Sequence, residues 1–301
     1  MRFTLSSTAL SSKLFALAKV ISNKNSLPIL ADFMFRTEGN TLFITASDSE
    51  NSMTTTIELS DSDIDDSFAI ENHSLLEAVK SFPEQPLTFE ADKNDKIVKI
   101  IYQNGQFSLP IESADVYPVA AKIADIAVSI QLSSALLSEN ISRCLCATAQ
   151  DELRPVMNGV FFDITPEYLT IVSTDGHKLV RNRIYDIKND VAASLILAKK
   201  PATILKNMLA KDDTLVTITF DNRNAEVTFG DTRLLCRLID GRYPNYNSVI
   251  PQNNQNVLHV DRETLLGALK RVLPFASDSS NLVRFRIDGH VLQLDAEDFD
   301  F

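Results

Sequence analysis

Apolar positions along the chain alternate between a strand period of two and a helical period, and this order of patterns recurs. Each recurrence opens with an apolar-x-apolar pair followed five positions later by a leucine, and the pairs are Phe3-x-Leu5, Ile130-x-Leu132 and Leu258-x-Val260. The offsets are 127 and then 128 residues. Because a fixed period of this length indicates duplicated structural units, we interpret the chain as tandem repeats.

Each copy continues with the same order of predicted elements. A helical pattern comes first, and a pair of strands joined by a turn follows over residues 33–44, 160–171 and 283–294. Six positions after the leucine of the second strand, each copy has an aspartate: Asp48, Asp175 and Asp298. Copies one and two then add a second unit of strand, helix and further strands.

These patterns predict an α+β fold of tandem domains, each made of two β-α-β-rich halves. The predicted domains are residues 1–122, residues 123–250 and an incomplete third domain at residues 251–301. Domains repeated in line, each with its helices on one side, can curve into an arc with all helices on the same face. The alternative is that the duplication records evolutionary history and says little about function.

Composition is that of a globular protein, because 45% of the 301 residues are apolar and 23% are charged. No apolar run reaches the length of about 18 residues that a membrane helix needs, so a cytoplasmic location is the default expectation. The odd number of cysteines, at Cys144, Cys146 and Cys236, predicts core thiols. The four histidines have no metal-ligand spacing, and we expect neither a metal nor a cofactor.

Charge is unevenly distributed. The net charge of −11 argues at face value against a nucleic-acid partner. The predicted helical windows nevertheless hold 12 Lys and Arg against 3 Glu; they are residues 10–24, 73–81, 134–149, 199–211 and 262–273. Their basic residues, including Lys200 and Lys206, could face DNA phosphates across a concave surface. Alternatively, they are lysines of ordinary solvated helices.

Several motifs resemble one family. They are Leu27–Leu30, Met157–Gly159, Thr174–Leu179 and Asp240–Tyr246. In this order, and with the repeat, they resemble the bacterial sliding clamp, the β subunit of the replicative DNA polymerase. The resemblance implies tandem clamp-type domains, with antiparallel sheets outside and helices lining a concave face. It also implies a ring around duplex DNA, closed head to tail by two copies of three domains.

The family further implies a non-catalytic tether for the replicative polymerase and other partners, which an ATP-driven loader opens. Its partners insert a short apolar peptide into a pocket between the second and third domains. Matched by position, that pocket corresponds to Met157, Thr174, Gly176, His177, Lys178, Leu179, Pro244 and Val249. Ser248 departs from the pattern, because several clamps carry an arginine there.

Two other sets of residues follow from the resemblance. The DNA contacts of the family correspond to Lys24, Gln150 and Arg154. Its dimer interface pairs a strand edge of the first domain with the third domain of the other protomer. The corresponding residues here are Phe107, Leu109, Leu273 and Phe275.

Two other function classes have to be weighed. One is a scaffold of clamp-like repeats that does not encircle DNA. The other is a nucleic-acid enzyme, which would need a metal-binding cluster of carboxylates, whereas Asp48, Asp175 and Asp298 occur one per repeat. A catalytic role of Asp175 and His177 would further need a nucleophile and an oxyanion site, and neither can be nominated.

The third copy is shorter than the other two. It begins near residue 256 and runs for about 45 residues, whereas copies one and two take about 125 each. We therefore expect a clamp cut short within its third domain, lacking the family's last strand. We also expect the homodimer of the full-length family to be impaired in it.

Overall fold

The computed structural model describes residues 1–22, 24–25 and 27–297. Asp298, the third aspartate of the repeat, lies outside the described residues. The chain divides into two compact units, Met1–Tyr246 and Asn247–Phe301. The predicted domain limits at residues 122, 250 and 301 stay a prediction.

The first repeat is a sequence of strands interrupted by two helices. Its elements are β1 Arg2–Ser6, α1 Ser7–Leu17, β2 Asp32–Glu38, β3 Thr41–Ser47, β4 Asn51–Glu58, β5 Asp61–Ser62, β6 Ser67–Glu71, α2 Asn72–Val79, β7 Pro86–Asp92, β8 Ile97–Tyr102 and β9 Gly105–Ser113. Short 3-10 helices lie at Pro28–Ala31 and Ala114–Val116.

The second repeat has the same order except that β5 has no counterpart. Its elements are β10 Val128–Ser133, α3 Ser134–Leu145, β11 Gly159–Ile164, β12 Leu169–Thr174, β13 Leu179–Ile184, β14 Ala193–Ala198, α4 Lys199–Met208, β15 Leu215–Phe220, β16 Asn224–Phe229 and β17 Thr232–Arg237. Short 3-10 helices lie at Pro155–Asn158 and Tyr246–Val249.

The unit at residues 247–301 contains one further helix and one hairpin among its described residues. These elements are α5 Arg262–Val272, a 3-10 helix at Leu273–Phe275, β18 Arg284–Asp288 and β19 Val291–Asp295. The predicted turn of the hairpin is confirmed, since Gly289 joins its strands with a φ of +55°.

All strand pairs of the described residues are antiparallel, and one sheet crosses from the first repeat to the second. Its thirteen strands have the order β10-β15-β16-β17-β4-β3-β2-β6-β9-β8-β7-β1-β5. A second sheet has the order β13-β12-β11-β14. The two repeats meet where β17 pairs with β4, with Thr232 opposite Thr55 and Cys236 opposite Asn51.

The helices pack on the sheets through the apolar faces that the sequence predicts. Leu10, Leu14 and Leu17 of α1 are fully buried, as are Leu137 and Ile141 of α3. Both α1 and α3 begin at a serine N-cap: Ser6 accepts from the amide of the third residue after it, and Ser133 does the same. These hydroxyls satisfy amides that have no partner inside the helix.

All five predicted helical windows run past the ends of their helices. α1 ends at Leu17, so Lys19, Ile21 and Lys24 lie beyond it, and the amide of Val20 bonds to Leu17 O in a tighter turn. Lys80 and Lys211 likewise follow the ends of α2 and α4. The helices themselves hold eight Lys and Arg and three Glu, so their net charge is +5.

The prediction of a strand at Leu258-x-Val260 is wrong. These residues form no strand, and both side chains are more than 40% exposed. In the first two repeats the matching strands, β1 and β10, pair with β7 and β15 of the second half. The described residues after Val260 contain no strand equivalent to β7 or β15. The pattern therefore lacks the partner that makes it a strand.

Candidate functional site

The Thr174–Leu179 turn joins β12 to β13 and is held by its own side chains. Asp175 Oδ1 accepts hydrogen bonds from the amides of His177 and Lys178, both at 2.9 Å. Thr174 Oγ1 donates to Lys178 O at 2.8 Å, and Gly176 adopts a φ of +92° that favours glycine. As a result the His177 and Lys178 side chains are exposed at the tip of the turn.

The Asp175 carboxylate is fully engaged in this turn. Lys178 Nζ lies 2.9 Å from Asp175 Oδ2. The side-chain bond from Lys178 and the two amide bonds hold the Asp175 pKa well below its usual value, and the same contact raises the pKa of Lys178. A carboxylate so strongly stabilised in its charged form is a poor proton acceptor at neutral pH. Its geometry gives no support to a general base at Asp175.

Met157 and Arg154 lie against this turn. Met157 is buried in the 3-10 helix Pro155–Asn158. A Cβ on Gly176 would lie 3.7 Å from Met157 Cε and 3.2 Å from Arg154 Nη1. Arg154 Nε also donates to Asp151 Oδ2 at 2.7 Å. The structure thus places Met157 beside the turn, with the Arg154 guanidinium at their border.

The Tyr243–Tyr246 segment presents Pro244 between two buried tyrosines. The Tyr243 ring stacks on Phe161 with centroids 4.5 Å apart, and burial raises the Tyr243 pKa to about 12. Tyr246 Oη donates to Asp163 Oδ2 at 2.7 Å. Pro244 itself is exposed. Aromatic stacking and a hydrogen bond therefore fix an exposed proline on the second repeat.

The start of this segment depends on a glycine. Gly241 has a φ of +126°, and a Cβ there would approach Val156 Cγ1 to 2.7 Å. The chain after β17 therefore passes close to the 3-10 helix that holds Met157. Val249, the last residue of the predicted pocket, belongs to the unit at residues 247–301, and its side chain is 67% exposed.

Two protein-family models match the two repeats. The N-terminal domain of the DNA polymerase III beta subunit matches residues 1–121, and its central domain matches residues 131–245. Together they cover more than three quarters of the chain. The chain belongs to the DNA polymerase III beta subunit family.

Curated relatives of this beta subunit carry the name beta sliding clamp. The Haemophilus influenzae protein is 26% identical over 301 residues, which cover 98% of this chain and 80% of the relative. The Synechococcus elongatus protein is 29% identical over 220 residues, which cover 69% of this chain and 57% of the relative.

Solved clamp structures share the fold. The Pseudomonas aeruginosa clamp bound to griselimycin superposes with a TM-score of 0.92 at 23% identity, covering 100% of this chain and 81% of that one. The Bacillus subtilis clamp gives a TM-score of 0.90 at 24% identity, covering 98% and 80%. The predicted clamp fold is confirmed.

The basic residues of this clamp subunit differ in how free their charges are. Lys206 is exposed on α4, beside a groove of about 670 Å³ between α3 and α4 that Arg143 and Lys211 also line. Lys24 and Gln150 are exposed too. Lys200 instead contacts Asp48 of the first repeat, with Nζ 2.5 Å from Oδ2. Nothing in its sequence pattern indicated this pairing.

The helix layers of the two repeats adjoin on one face. Lys19, which follows α1, lines a cavity of about 400 Å³ together with Lys199, Lys200 and Thr203 of α4. This juxtaposition crosses the boundary between the repeats within the unit Met1–Tyr246. Lys19 of the first repeat and Lys199 and Lys200 of the second are therefore on the same side of that unit.

Of the residues predicted for a dimer interface, Phe107 and Leu109 are half-buried and pack against the core. β9 pairs with β8 along Gly105–Pro110 but with β6 only along Ile111–Ser113. The opposite edge of β9 around Phe107 and Leu109 thus has no strand partner in the described part of the chain. Leu273 and Phe275 are 49% and 69% exposed in their own unit.

Among the described residues, no group of three or more His, Cys, Asp or Glu side chains could hold a metal ion. Within the same residues, no helix combines the length and the apolar character needed to cross a bilayer.

Proposed function

We propose that this chain is the processivity clamp of a bacterial DNA polymerase III, encircling duplex DNA and tethering the polymerase to it. One observation carries the proposal: both repeats match the beta subunit family, and the basic side chains that follow α1 and belong to α4 adjoin on one face. As a member of this family, the protein is an accessory subunit without catalytic activity. Its work on DNA takes place in the cytoplasm.

Attraction to DNA without base recognition is what such a protein needs. Lysines that contact phosphates bind any sequence and lose affinity as salt rises. The helices carry a net charge of +5 while the whole chain carries −11, so the remaining surface repels DNA. Lys206, Lys24 and Arg154, together with Gln150, are the proposed contacts.

The polymerase is held through a short apolar peptide of its own, which docks beside the Thr174–Leu179 turn. Met157, Leu179 and Pro244 supply the apolar surface, and Val249 is a further residue that the family resemblance assigns to the site. The polar groups of the turn, from Thr174 through Gly176 and His177 to Lys178, orient the peptide. A shallow apolar surface with a few fixed polar groups is the usual form of such a site. The clamp loader and the polymerase are the proposed partners, together with a second copy of the chain, whose dimer contact we expect to be weaker than in the full-length family.

A peptide titration tests the tethering site. The double variant His177→Ala, Leu179→Ala removes the exposed tip and one apolar side chain of the site. Its dissociation constant for a labelled apolar peptide from the replicative polymerase should rise at least about tenfold, since a few central residues dominate such interfaces. Fluorescence anisotropy measures it.

A matched control is Leu153→Ala, which removes a side chain that is 92% exposed outside the predicted pocket. This variant should bind the peptide like the wild type. Equal peptide affinity of the double variant and the wild type, with both folded by circular dichroism, would refute the assigned pocket.

A further inference from the structure

Two ion pairs cross the junction between the repeats beside the shared sheet. Lys13 of α1 pairs with Asp231, which precedes β17, and Lys200 of α4 pairs with Asp48, which follows β3. Both unite a lysine of one repeat with an aspartate of the other. The lysines are on helices of the face that we propose to bind DNA, so neither ammonium is simply free to meet a phosphate.

Lys200 is held by two groups of the first repeat. Its Nζ donates to Asp48 Oδ2 at 2.5 Å and to the backbone carbonyl of Val20 at 2.6 Å. Asp48 is only 8% exposed at its side chain, while Lys200 is 38% exposed. A buried carboxylate bonded to an ammonium is costly to leave without that partner. The pair is therefore a fixed contact rather than a transient surface one.

The other oxygen of Asp48 organises the turn after β3. Asp48 Oδ1 accepts from the amides of Asn51 and Glu50 at 2.7 and 3.1 Å. Burial alone would raise the Asp48 pKa, but the bonds from Lys200 and Asn51 outweigh it and hold the pKa below its usual value. Asp48 Oδ1 therefore holds the turn after β3, and Lys200 bonds to the other oxygen of the same carboxylate.

Comparison with the second repeat explains why Asp48 pairs with a lysine of the other repeat. Its equivalent turn has Asp175 in place of Asp48, and Asp175 pairs with Lys178 three residues along the same turn. The position equivalent to Lys178 is Asn51 in the first repeat, which has no positive charge. Lys200 of the next repeat supplies the cation that the first turn lacks.

The carbonyl of Val20 gives this contact a second consequence. Val20 is fully buried and lies four residues before the exposed Lys24, whose amide donates to Ser22 Oγ at 3.2 Å. A bond that fixes Val20 therefore restricts the position of the backbone four residues before Lys24. The Lys200 ammonium thus bonds both to Asp48 at the junction of the repeats and to the backbone of Val20.

We propose that Lys200 is a positioning residue: it ties the second repeat to the first and holds Val20, four residues before Lys24, so that Lys24 reaches DNA. This inference rests on the proposed DNA binding for its functional part. It replaces a direct phosphate contact of Lys200 with an indirect one through Lys24.

The direction in which one substitution changes DNA affinity distinguishes a positioning role of Lys200 from a direct phosphate contact. Asp48→Asn removes a negative charge, which by charge alone should tighten DNA binding. If Asp48 and Lys200 hold the segment of Lys24, the same change weakens binding of a short duplex about two- to fivefold, as does Lys200→Gln. Asp231→Asn, which breaks the other junction pair, is the matched control and should bind DNA as tightly as the wild type or more tightly.

The dependence on Lys24 supplies a second readout that a purely structural role would not move. On a Lys24→Gln background, neither Asp48→Asn nor Lys200→Gln should weaken DNA binding further, whereas Lys206→Gln should still do so and should lower the salt slope by about one. Fluorescence anisotropy over a salt series measures affinity and slope, and circular dichroism shows that each variant is folded at the assay temperature.

Tighter DNA binding by Asp48→Asn, or an effect of Lys200→Gln that persists in full without Lys24, would overturn the proposal. Absence of DNA binding by the wild type would instead count against the proposed function. In that case the melting temperatures of Asp48→Asn, Lys200→Gln and the double variant still test whether the Lys200 to Asp48 pair stabilises the junction of the repeats. Non-additive losses support the tie, and additive ones contradict it.

Discussion

At the scale of single residues, Asp32 stands out because an acidic side chain is buried beside other acids. It begins β2 and is 9% exposed. Burial and then the nearby Glu71 and Glu112 raise its pKa to about 6. The equivalent position of the second repeat is Gly159, so this charge belongs to the first repeat alone. It is a local cost that the fold carries at neutral pH.

Asp32→Asn should stabilise the protein above the folded pKa. An unfolded aspartate titrates near a pKa of about 3.9, and the folded one near 6, so the folded state holds the proton more tightly. The favourable contribution is complete below pH 4 and is lost as pH rises through 6. The variant should melt roughly 2–5 °C higher than the wild type at pH 8. At pH 4 the two should melt together.

Asp48→Asn is the opposite control in the same thermal scans, because the Asp48 pKa is lowered in the folded state. Its stabilising contribution is present above the unfolded pKa and is lost as pH falls through the folded one. That variant should therefore melt lower than the wild type at pH 8. A lower melting temperature for Asp32→Asn at pH 8 would contradict the assigned cost.

At the scale of elements, the sequence patterns locate the helices and their buried faces. Leu10, Leu14 and Leu17 are spaced for one helix face, and all three are buried. The end of α1 was predicted too late, because Ile21 continues the apolar spacing while the backbone has already turned at Val20. Periodicity reports burial, and a buried residue just beyond a helix end has the same signal.

Contacts between distant elements could not be predicted from spacing. The Lys200 to Asp48 pair and the Tyr246 to Asp163 bond join residues 152 and 83 positions apart. A weak signal existed only for the neighbouring Tyr243, since Tyr-Pro recurs at residues 117–118 and 243–244, each at the end of its repeat. In the structure, Tyr117 and Tyr243 are both buried.

Tyr246→Phe tests whether the Tyr243–Tyr246 segment holds Pro244 in place for the peptide. The change removes the hydrogen bond to Asp163 and keeps the ring against Phe161. Stability should fall by about 1 kcal/mol, the usual net worth of such a bond. Peptide affinity should fall two- to fivefold, measured by the same anisotropy titration. DNA affinity should stay at the wild-type value.

An unchanged peptide affinity together with the expected loss of stability would show that the Tyr246 bond is structural only. The matched variant is Tyr185→Phe, which changes a tyrosine that is 64% exposed on the same repeat. It should leave both stability and peptide affinity unaltered.

At the scale of the whole molecule, the repeat and the segregation of charge were readable from the sequence. The fold class follows from the repeat and the family from the motifs that resemble the sliding clamp, and both are confirmed by relatives and solved structures. The strength of the positive face was overestimated, because Lys19, Lys24, Lys80 and Lys211 lie beyond helix ends and because Lys13 and Lys200 pair with aspartates. Fewer free cations remain, which suits a protein that has to move along DNA.

The measurement that bears most directly on encirclement is retention on circular DNA. The protein is loaded onto nicked plasmid with a bacterial clamp loader and ATP, and bound and free protein are separated by gel filtration. A clamp that is linked topologically should elute with the circle and be lost once a restriction enzyme linearises it. Equal retention on circular and linear DNA, or none on the circle, would contradict the account.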